Sequence, residues 1–147
     1  MKQSRLAPAL LLLAACSGAA QAATYEMFRD PDCGCCGKWA GHVRSENAVA
    51  VAETVTADMA RVKAEHGVPE DLWSCHTLVV RDYVIEGHVP AAEIERLLAE
   101  RPEGVVGLAV PGMPVGSPGM EMGDRTQPYA VIAFRADGSR FVFARYG

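Results

Sequence analysis

Residues 25–39 read YEMFRDPDCGCCGKW, and they carry the clearest fold signal in the chain. The apolar-rich residues 25–29 predict a short strand, which the proline and aspartates after it bring to an end. Residues 35–45 predict a helix, and an aspartate before it can cap its first turn. Three cysteines, Cys33, Cys35 and Cys36, are therefore expected between the first strand and the helix that follows it.

The sequence beyond this stretch predicts further strands and helices. Hydrophobic periodicity and the positions of proline and glycine set their boundaries. Three prolines with interleaved glycines disfavour a regular helix or a central strand over residues 107–123, so a long loop is expected there. The predicted elements are a strand over 48–55, a helix over 59–66, a hairpin over 77–86, a helix over 90–101, this loop, and a C-terminal hairpin over 129–145.

The order strand, helix, strand, helix, hairpin, helix is that of a thioredoxin-like domain, an α/β fold with a mixed sheet and flanking helices. The C-terminal β-hairpin is then an addition to that core. In this fold the active cysteines lie between the first strand and the next helix, where Cys33 to Cys36 fall here. The chain has 147 residues, half of them hydrophobic, which suits one domain expected to cover residues 24–147.

The first residues predict an export signal. Lys2 and Arg5 precede an apolar run over 6–15 that is too short to span a bilayer. Two processing sites compete: an A-x-A site at residues 20–22 gives a signal over 1–22, and a lipoprotein box at 13–16 gives a signal over 1–15 with a lipid anchor at Cys16. The predicted location is the periplasm, either as a soluble protein or held to the membrane through Cys16 alone.

The composition argues against a nucleic-acid partner. The formal net charge is -4, no run of Lys or Arg occurs, and aromatic residues make up only 7% of the chain. The sequence therefore offers neither a phosphate-neutralising patch nor a surface on which bases could stack.

The cysteines predict a site for a soft metal ion. Cys33, Cys35 and Cys36 lie close together in sequence, and Cys75 is a distant fourth candidate. Thiolate sulfur selects copper(I), zinc or iron–sulfur centres over harder ions, and the start of a helix favours thiolate over thiol. Adjacent Cys35 and Cys36 cannot easily face one tetrahedral ion, so the spacing favours sulfurs that bridge several ions. Copper(I) is the expected metal, and zinc is the second choice.

Two other interpretations of the cysteines stay open. In an exported protein they can form structural disulfides, although the possible pairings are strained or crowded. Cys33 and Cys36 also have the C-x-x-C spacing of thiol–disulfide oxidoreductases, in which one thiolate attacks and a second resolves. Cys35 and Cys75 would then invite mispairing. We therefore expect free thiols that hold metal, with oxidation taken up by bound copper rather than by a stable Cys33–Cys36 disulfide.

Five blocks of the sequence together resemble a known family. They are DPDCGCCGKW (30–39), SCHT (74–77), EGHVP (86–90), GLAVPGMP (107–114) and GSPGME (116–121). They are similar to a family of exported bacterial metal-binding proteins, formerly of unknown function, that includes the copper-resistance protein CopG. The resemblance implies a thioredoxin-like fold and a copper cluster bound by Cys33, Cys35, Cys36 and Cys75. It also implies periplasmic copper handling with other copper-handling proteins as partners, and it leaves open a copper oxidoreductase that interchanges copper(I) and copper(II).

The four histidines differ in their expected roles. In the thioredoxin comparison, His76 takes the position of a cis-proline that faces the active cysteines, which would bring Cys75 against the motif. His88 lies in the turn from hairpin to helix, so His76 and His88 are lesser candidate ligands. His42 and His66 are expected to be surface or satisfied residues. The methionines of the 107–123 loop are expected to cover the site rather than to ligate copper.

Overall fold

The computed structural model describes residues 24–147, so the predicted signal over 1–22 or 1–15 and the candidate anchor Cys16 lie outside the described residues. One seven-stranded mixed sheet has the strand order β2-β1-β3-β4-β5-β6-β7. The strands are β1 (Tyr25–Arg29), β2 (Val51–Val55), β3 (His76–Val80), β4 (Tyr83–Glu86), β5 (Val105–Ala109), β6 (Tyr129–Arg135) and β7 (Arg140–Tyr146). The helices are α1 (Gly34–Glu46), α2 (Met59–Glu65) and α3 (Ala91–Glu100), with a 3₁₀ turn at Glu70–Leu72.

Two parallel strand pairs, β1–β2 and β4–β5, are each joined through a helix, α1 and α3 respectively. All other neighbouring strands are antiparallel. The predicted α/β class, thioredoxin-like order and C-terminal hairpin are therefore confirmed. No helix within residues 24–147 has both the length and the apolar character needed to cross a membrane.

The main core lies between one face of the sheet and helices α1 and α3. Met27, Leu78 and Ile85 are register partners on β1, β3 and β4, and they are fully buried in one cluster. Trp39 of α1 and Ile94 of α3 belong to the same cluster. Because side chains alternate along a strand, Thr77 and Glu86 point to the opposite face, where Lys63 of α2 contacts both.

The predicted loop over 107–123 is wrong at its start, because Gly107 lies inside β5. This strand pairs with β4 on one side and β6 on the other, and it joins the C-terminal hairpin to the rest of the sheet. A Cβ on Gly107 would collide with the carbonyl oxygen of Val84 and the ring of Phe134. The glycine is therefore required by close packing within a strand, whereas the sequence suggested a loop.

Two local details also differ from the sequence prediction. The N-cap of α1 is Cys33, and it makes no side-chain capping hydrogen bond. Asp30 instead accepts the backbone N–H of Asp32 at 3.0 Å, so it stabilises the turn before the helix. Strand β2 begins at Val51, three residues later than predicted, because Ala48 has a positive φ of 50° that is incompatible with a strand.

Candidate metal centre

The first turn of α1 places three sulfurs together at the end of β1. Cys36 is fully buried under the helix, and Cys33 and Cys35 are half-buried. The Sγ atoms of Cys33 and Cys35 are 3.5 Å apart. A disulfide joins Cys33 to Cys36, whose Cα atoms are 5.4 Å apart, while Cys35 and Cys75 are free. The expectation of four free thiols is therefore corrected, because the C-x-x-C spacing across one helical turn brings its two ends within bonding distance.

Cys75 reaches this group from the segment immediately before β3. The antiparallel pairing of β1 with β3 sets His76 opposite Arg29, so the start of β3 lies beside the end of β1. The four sulfurs of Cys33, Cys35, Cys36 and Cys75 all lie within 4.8 Å of one another. The structure thus brings together residues that are far apart in sequence.

Two imidazoles extend the group on the side of Cys75. The Cys75 Sγ lies 3.2 Å from His76 Nδ1 and 3.0 Å from His88 Nε2. These three residues form a second set of potential ligands, with donor atoms within 4.8 Å of one another. We refer to the four cysteines with His76 and His88 as the sulfur–imidazole cluster.

Hydrogen bonds indicate which nitrogens of the two rings can donate a lone pair. His88 Nδ1 lies 2.8 Å from the carbonyl oxygen of Pro118, which can only accept, so Nδ1 carries the hydrogen. In a neutral His88 ring, Nε2 then has its lone pair directed at Cys75. His76 is fully buried, and its Nε2 finds no hydrogen-bond partner among residues 24–147. Orphaned buried polar atoms are uncommon, so this nitrogen is a feature that a ligand would explain.

The electrostatics of the cluster keep its metal-free form uncharged at Cys75 and at both histidines. Burial, and then the neighbouring Cys35, raise the pKa of Cys75 to about 12. Burial lowers the pKa of His76 well below its ordinary value, with the nearby His88 and Lys63 acting in the same direction. Burial also lowers the pKa of His88. Neutral imidazoles are ready to ligate a metal, whereas Cys75 must release its proton to do so.

Trp39 holds the parts of the cluster in place. Its ring is fully buried and lies 4.2 Å from the His76 ring, measured between centroids. Its Nε1 donates a hydrogen bond to the carbonyl of Val89 at 2.8 Å, which ties α1 to the turn that carries His88. Trp39 therefore packs inside the core beside the cluster, whereas the neighbouring Lys38 is exposed.

The segment Pro118–Gly119 covers the cluster with its backbone. Gly119 has a φ of 85°, and a Cβ there would meet the Cys35 carbonyl oxygen and the Trp39 nitrogen, each at 2.8 Å. The side chain of Glu121 accepts the Gly119 N–H at 2.8 Å and pairs with His42 Nε2 at 2.7 Å. From the sequence, a cover formed by the methionines of the 107–123 loop was expected. The contacts come instead from Pro118 and Gly119, and the Ser-Pro-Gly pattern was the available signal.

Three side chains considered from the sequence lie outside the cluster. His42 pairs with Glu46 and Glu121 on the outer side of α1. His66 packs against the Phe28 ring with centroids 5.4 Å apart, so it has a structural contact. Met113 is 53% exposed, so its side chain is not buried against the cluster.

Comparisons with known proteins bear on the identity of this arrangement. A family model described as "Protein of unknown function, DUF411" matches residues 72–120, which include Cys75, His76, His88 and the covering segment. No curated protein matches the chain. A solved structure described as "Copper resistance protein copG- Form 2" is 46% identical, with a TM-score of 0.79 over 85% of this chain and 98% of its own.

A second solved structure, described as "Copper resistance protein copG- Form 1", gives a similar result. It is 47% identical, with a TM-score of 0.78 over 84% of this chain and 96% of its own. This level of identity over nearly the whole length of both relatives is enough to assign the family. The chain belongs to the DUF411 family that includes the copper resistance protein CopG.

Proposed function

We propose that this protein binds copper(I) in the periplasm through a multi-cysteine cluster and contributes to copper resistance. The observation that carries the proposal is the convergence of four half-buried or buried sulfurs, with two buried neutral imidazoles beside Cys75. The ligands are Cys33, Cys35, Cys36 and Cys75, with His76 and His88 at the edge of the cluster. Similarity to copper resistance protein CopG supports copper as the metal.

The donor set suits copper(I) better than a hard ion. Thiolate sulfur and imidazole nitrogen are soft to borderline donors, and copper(I) binds such ligands strongly. Cys35 and Cys36 are adjacent and share their neighbourhood with Cys33 and Cys75, which favours sulfurs shared between ions. A single zinc ion would use four donors in a tetrahedron, and the second ligand set around Cys75 would then have no role.

The Cys33–Cys36 disulfide makes the ligand set depend on redox state. With the bond formed, two of the four sulfurs are not available as thiolates. Reduction by a dithiol adds two electrons, breaks the S–S bond and restores both thiols, while the dithiol becomes a disulfide. Full metal loading therefore requires the reduced protein. Interchange of bound copper(I) and copper(II) would require an external one-electron acceptor and donor, and the reduced sulfurs would hold the ion in both states.

The test is metal loading of the full chain after anaerobic reduction. Copper(I) and zinc are supplied separately, in the presence of a competing chelator, and metal per chain is measured. We expect more than one copper(I) per chain in the reduced protein and clearly less copper(I) per chain in the oxidised protein. One tightly held zinc with no retained copper would contradict the proposal. Cys16→Ser is the matched control, because it removes a cysteine that does not belong to the proposed ligand set.

A second function, thiol–disulfide exchange through Cys33 and Cys36, is favoured by the disulfide itself. In that reaction a substrate dithiol would be oxidised while the Cys33–Cys36 bond is reduced, so two electrons pass between the two pairs. Insulin reduction by metal-free protein, with dithiothreitol as the electron donor, separates the functions: it runs the same exchange in reverse, so that the reduced Cys33–Cys36 pair becomes a disulfide as an insulin disulfide is reduced. Turnover that requires Cys33 and Cys36 but is unaffected by Cys75→Ser would support exchange over metal binding.

A further inference from the structure

A buried polar network lies on the opposite side of the sheet from α1. Its members are Lys63 of α2, Thr77 of β3 and Glu86 of β4. The side chain of Glu86 is fully buried, and that of Lys63 is 4% exposed. Lys63 Nζ donates to Glu86 Oε1 at 2.6 Å and to Thr77 Oγ1 at 3.1 Å, and Thr77 Oγ1 donates to Glu86 Oε2 at 2.7 Å.

A buried ion pair of this kind often makes no net contribution to the stability of a fold. Removing two charged groups from water is costly, and apolar residues of similar size at such positions are often as stabilising or more so. A role in fixing the positions of neighbouring residues would explain why the network is present. Its hydrogen bonds show what it positions. They reach the backbone N–H of Ser74, which precedes Cys75, and the side chain of Thr77, which follows His76.

Glu86 contacts both residues that flank the Cys75-His76 pair. Its Oε1 accepts the backbone N–H of Ser74 at 2.6 Å, and its Oε2 accepts the hydroxyl of Thr77. Ser74 is further fixed by its own hydroxyl, which donates to the carbonyl of Gly112 at 2.5 Å. Thr77 and His76 are successive strand residues, so fixing Thr77 on one face directs His76 to the other.

We infer that Glu86, held by Lys63, is a positioning residue for metal binding: it fixes the backbone that presents Cys75 and His76 to the cluster. This inference rests on the proposed copper binding. Glu86 lies on the face away from the sulfurs, so it acts through Ser74 and Thr77 and does not ligate metal itself. Residues that orient metal ligands typically change affinity by about 10- to 100-fold when they are lost.

Two double variants separate positioning from stability. Lys63→Met with Glu86→Leu removes both charges and every hydrogen bond of Glu86. Lys63→Met with Glu86→Gln also removes the charges but leaves an amide oxygen that can accept the Ser74 N–H. We expect the leucine double variant to lose about tenfold or more in copper(I) affinity and the glutamine double variant to recover most of it. The control is Arg61→Met with Glu65→Leu, an exposed ion pair on α2 that does not contact Glu86 or Thr77.

Two readouts on reduced, metal-free protein do not depend on copper. Hydrogen exchange at the Ser74 amide should be faster in the leucine variant than in the glutamine variant. The alkylation rate of Cys75, relative to that of Cys35, should also differ more from the wild-type ratio in the leucine variant than in the glutamine variant. Wild-type copper affinity and wild-type exchange in both double variants would overturn the inference. An equal loss of copper affinity in both variants would also overturn it, because the charge rather than the hydrogen-bond acceptor would then matter.

The failure of the proposed function can be told apart from the failure of this inference. If wild-type protein does not bind copper(I), the proposed function fails, and the two metal-free readouts still decide whether Glu86 positions Cys75. If the leucine double variant does not fold, Thr77→Val takes its place, since it removes only the hydroxyl contacts with Glu86 and Lys63 and leaves the Glu86–Ser74 hydrogen bond. We then expect faster exchange at residues 76–78 and weaker copper(I) binding, and wild-type values for both would overturn the inference.

Discussion

Among single residues, Cys75 joins the two sets of potential ligands in the cluster. Its sulfur lies with those of Cys33, Cys35 and Cys36, and it also contacts His76 and His88. Because the pKa of Cys75 is high, a metal must displace the thiol proton, and copper binding by this residue should release that proton to the solvent. A substitution here affects both sets at once.

We predict that Cys75→Ser weakens copper(I) binding about as severely as Cys36→Ser, although the two residues are distant in sequence. Each change removes one thiolate from the same group of four sulfurs. A loss of at least about tenfold is expected, since even residues that only support a ligand reach that size. Competition with a copper(I) chelator measures it. Copper retention by Cys75→Ser equal to that of the wild type would contradict the assignment.

At the scale of elements, the covering segment and α1 fit together because residue 119 has no side chain. We predict that Gly119→Ala lifts this segment from the cluster and destabilises the fold by about 1–3 kcal/mol through overpacking. Gly123→Ala is the matched control, because Gly123 also has a positive φ but has open space around its Cβ position. Alkylation of Cys35 and Cys75 in reduced protein should accelerate only in Gly119→Ala. Equal rates in both variants would argue against a cover.

An ion-pair group links the edge strand β2 to α1 and to β1. Glu53 of β2 pairs with Arg44 of α1 and with Arg29 of β1. The hydrogen bond from Arg44, with help from Arg29, holds the pKa of Glu53 below its ordinary value. A carboxylate with a lowered folded-state pKa adds stability above its unfolded pKa and loses it as pH falls through the folded pKa.

We therefore predict that Glu53→Gln lowers the midpoint of thermal unfolding at pH 7 and has little effect once the carboxylate is protonated in acid. The change should be small, below about 1 kcal/mol, because the group is near the surface. Glu65→Gln, which breaks the exposed Arg61–Glu65 pair on α2, is the control and should show less. A Glu53→Gln effect of the same size at acidic and neutral pH would contradict this account.

At the scale of the whole molecule, the thiol chemistry and the location of the protein are expected to be separable. Cys16 lies outside residues 24–147, which the structure describes, and the four later cysteines form the cluster. We predict that Cys16→Ala changes only where the protein is found after cell fractionation. The exported variant should hold as much copper per chain as the wild type. Copper loss in proportion to one missing cysteine would place Cys16 in the site.

The response of the copper-loaded protein to oxidation also depends on the whole molecule, because the cluster is assembled from distant segments. We predict that copper-loaded protein, cycled with a mild oxidant, keeps its copper without accumulating the Cys33–Cys36 disulfide of the metal-free structure. Bound copper(I) occupies the sulfurs that would otherwise pair. Alkylation and mass spectrometry count the thiols. Recovery of the disulfide with release of all copper would favour thiol exchange as the function.

The sequence predicts the elements that local patterns define and misses those that depend on distant contacts. Strand β1, helix α3 and both hairpins have boundaries set by nearby proline, glycine or alternation. Strand β5 was missed because Gly107 resembles a loop residue until the ring of Phe134 is placed beside it. The convergence of Cys75 with Cys33 was expected only from family resemblance. No local pattern could predict that Pro118 would orient His88, or that Lys63 would meet Glu86.

The cluster draws its side chains from the first turn of α1, the start of β3 and the turn before α3, and its cover comes from a fourth segment. A complete set of donors therefore exists only after the chain has folded. Under the proposed function, an ion held there would cross-link remote parts of the polypeptide and shift the folding equilibrium toward the native state. Copper would thus protect this protein from proteolysis, and the lifetime of the protein in the cell would report the supply of the metal.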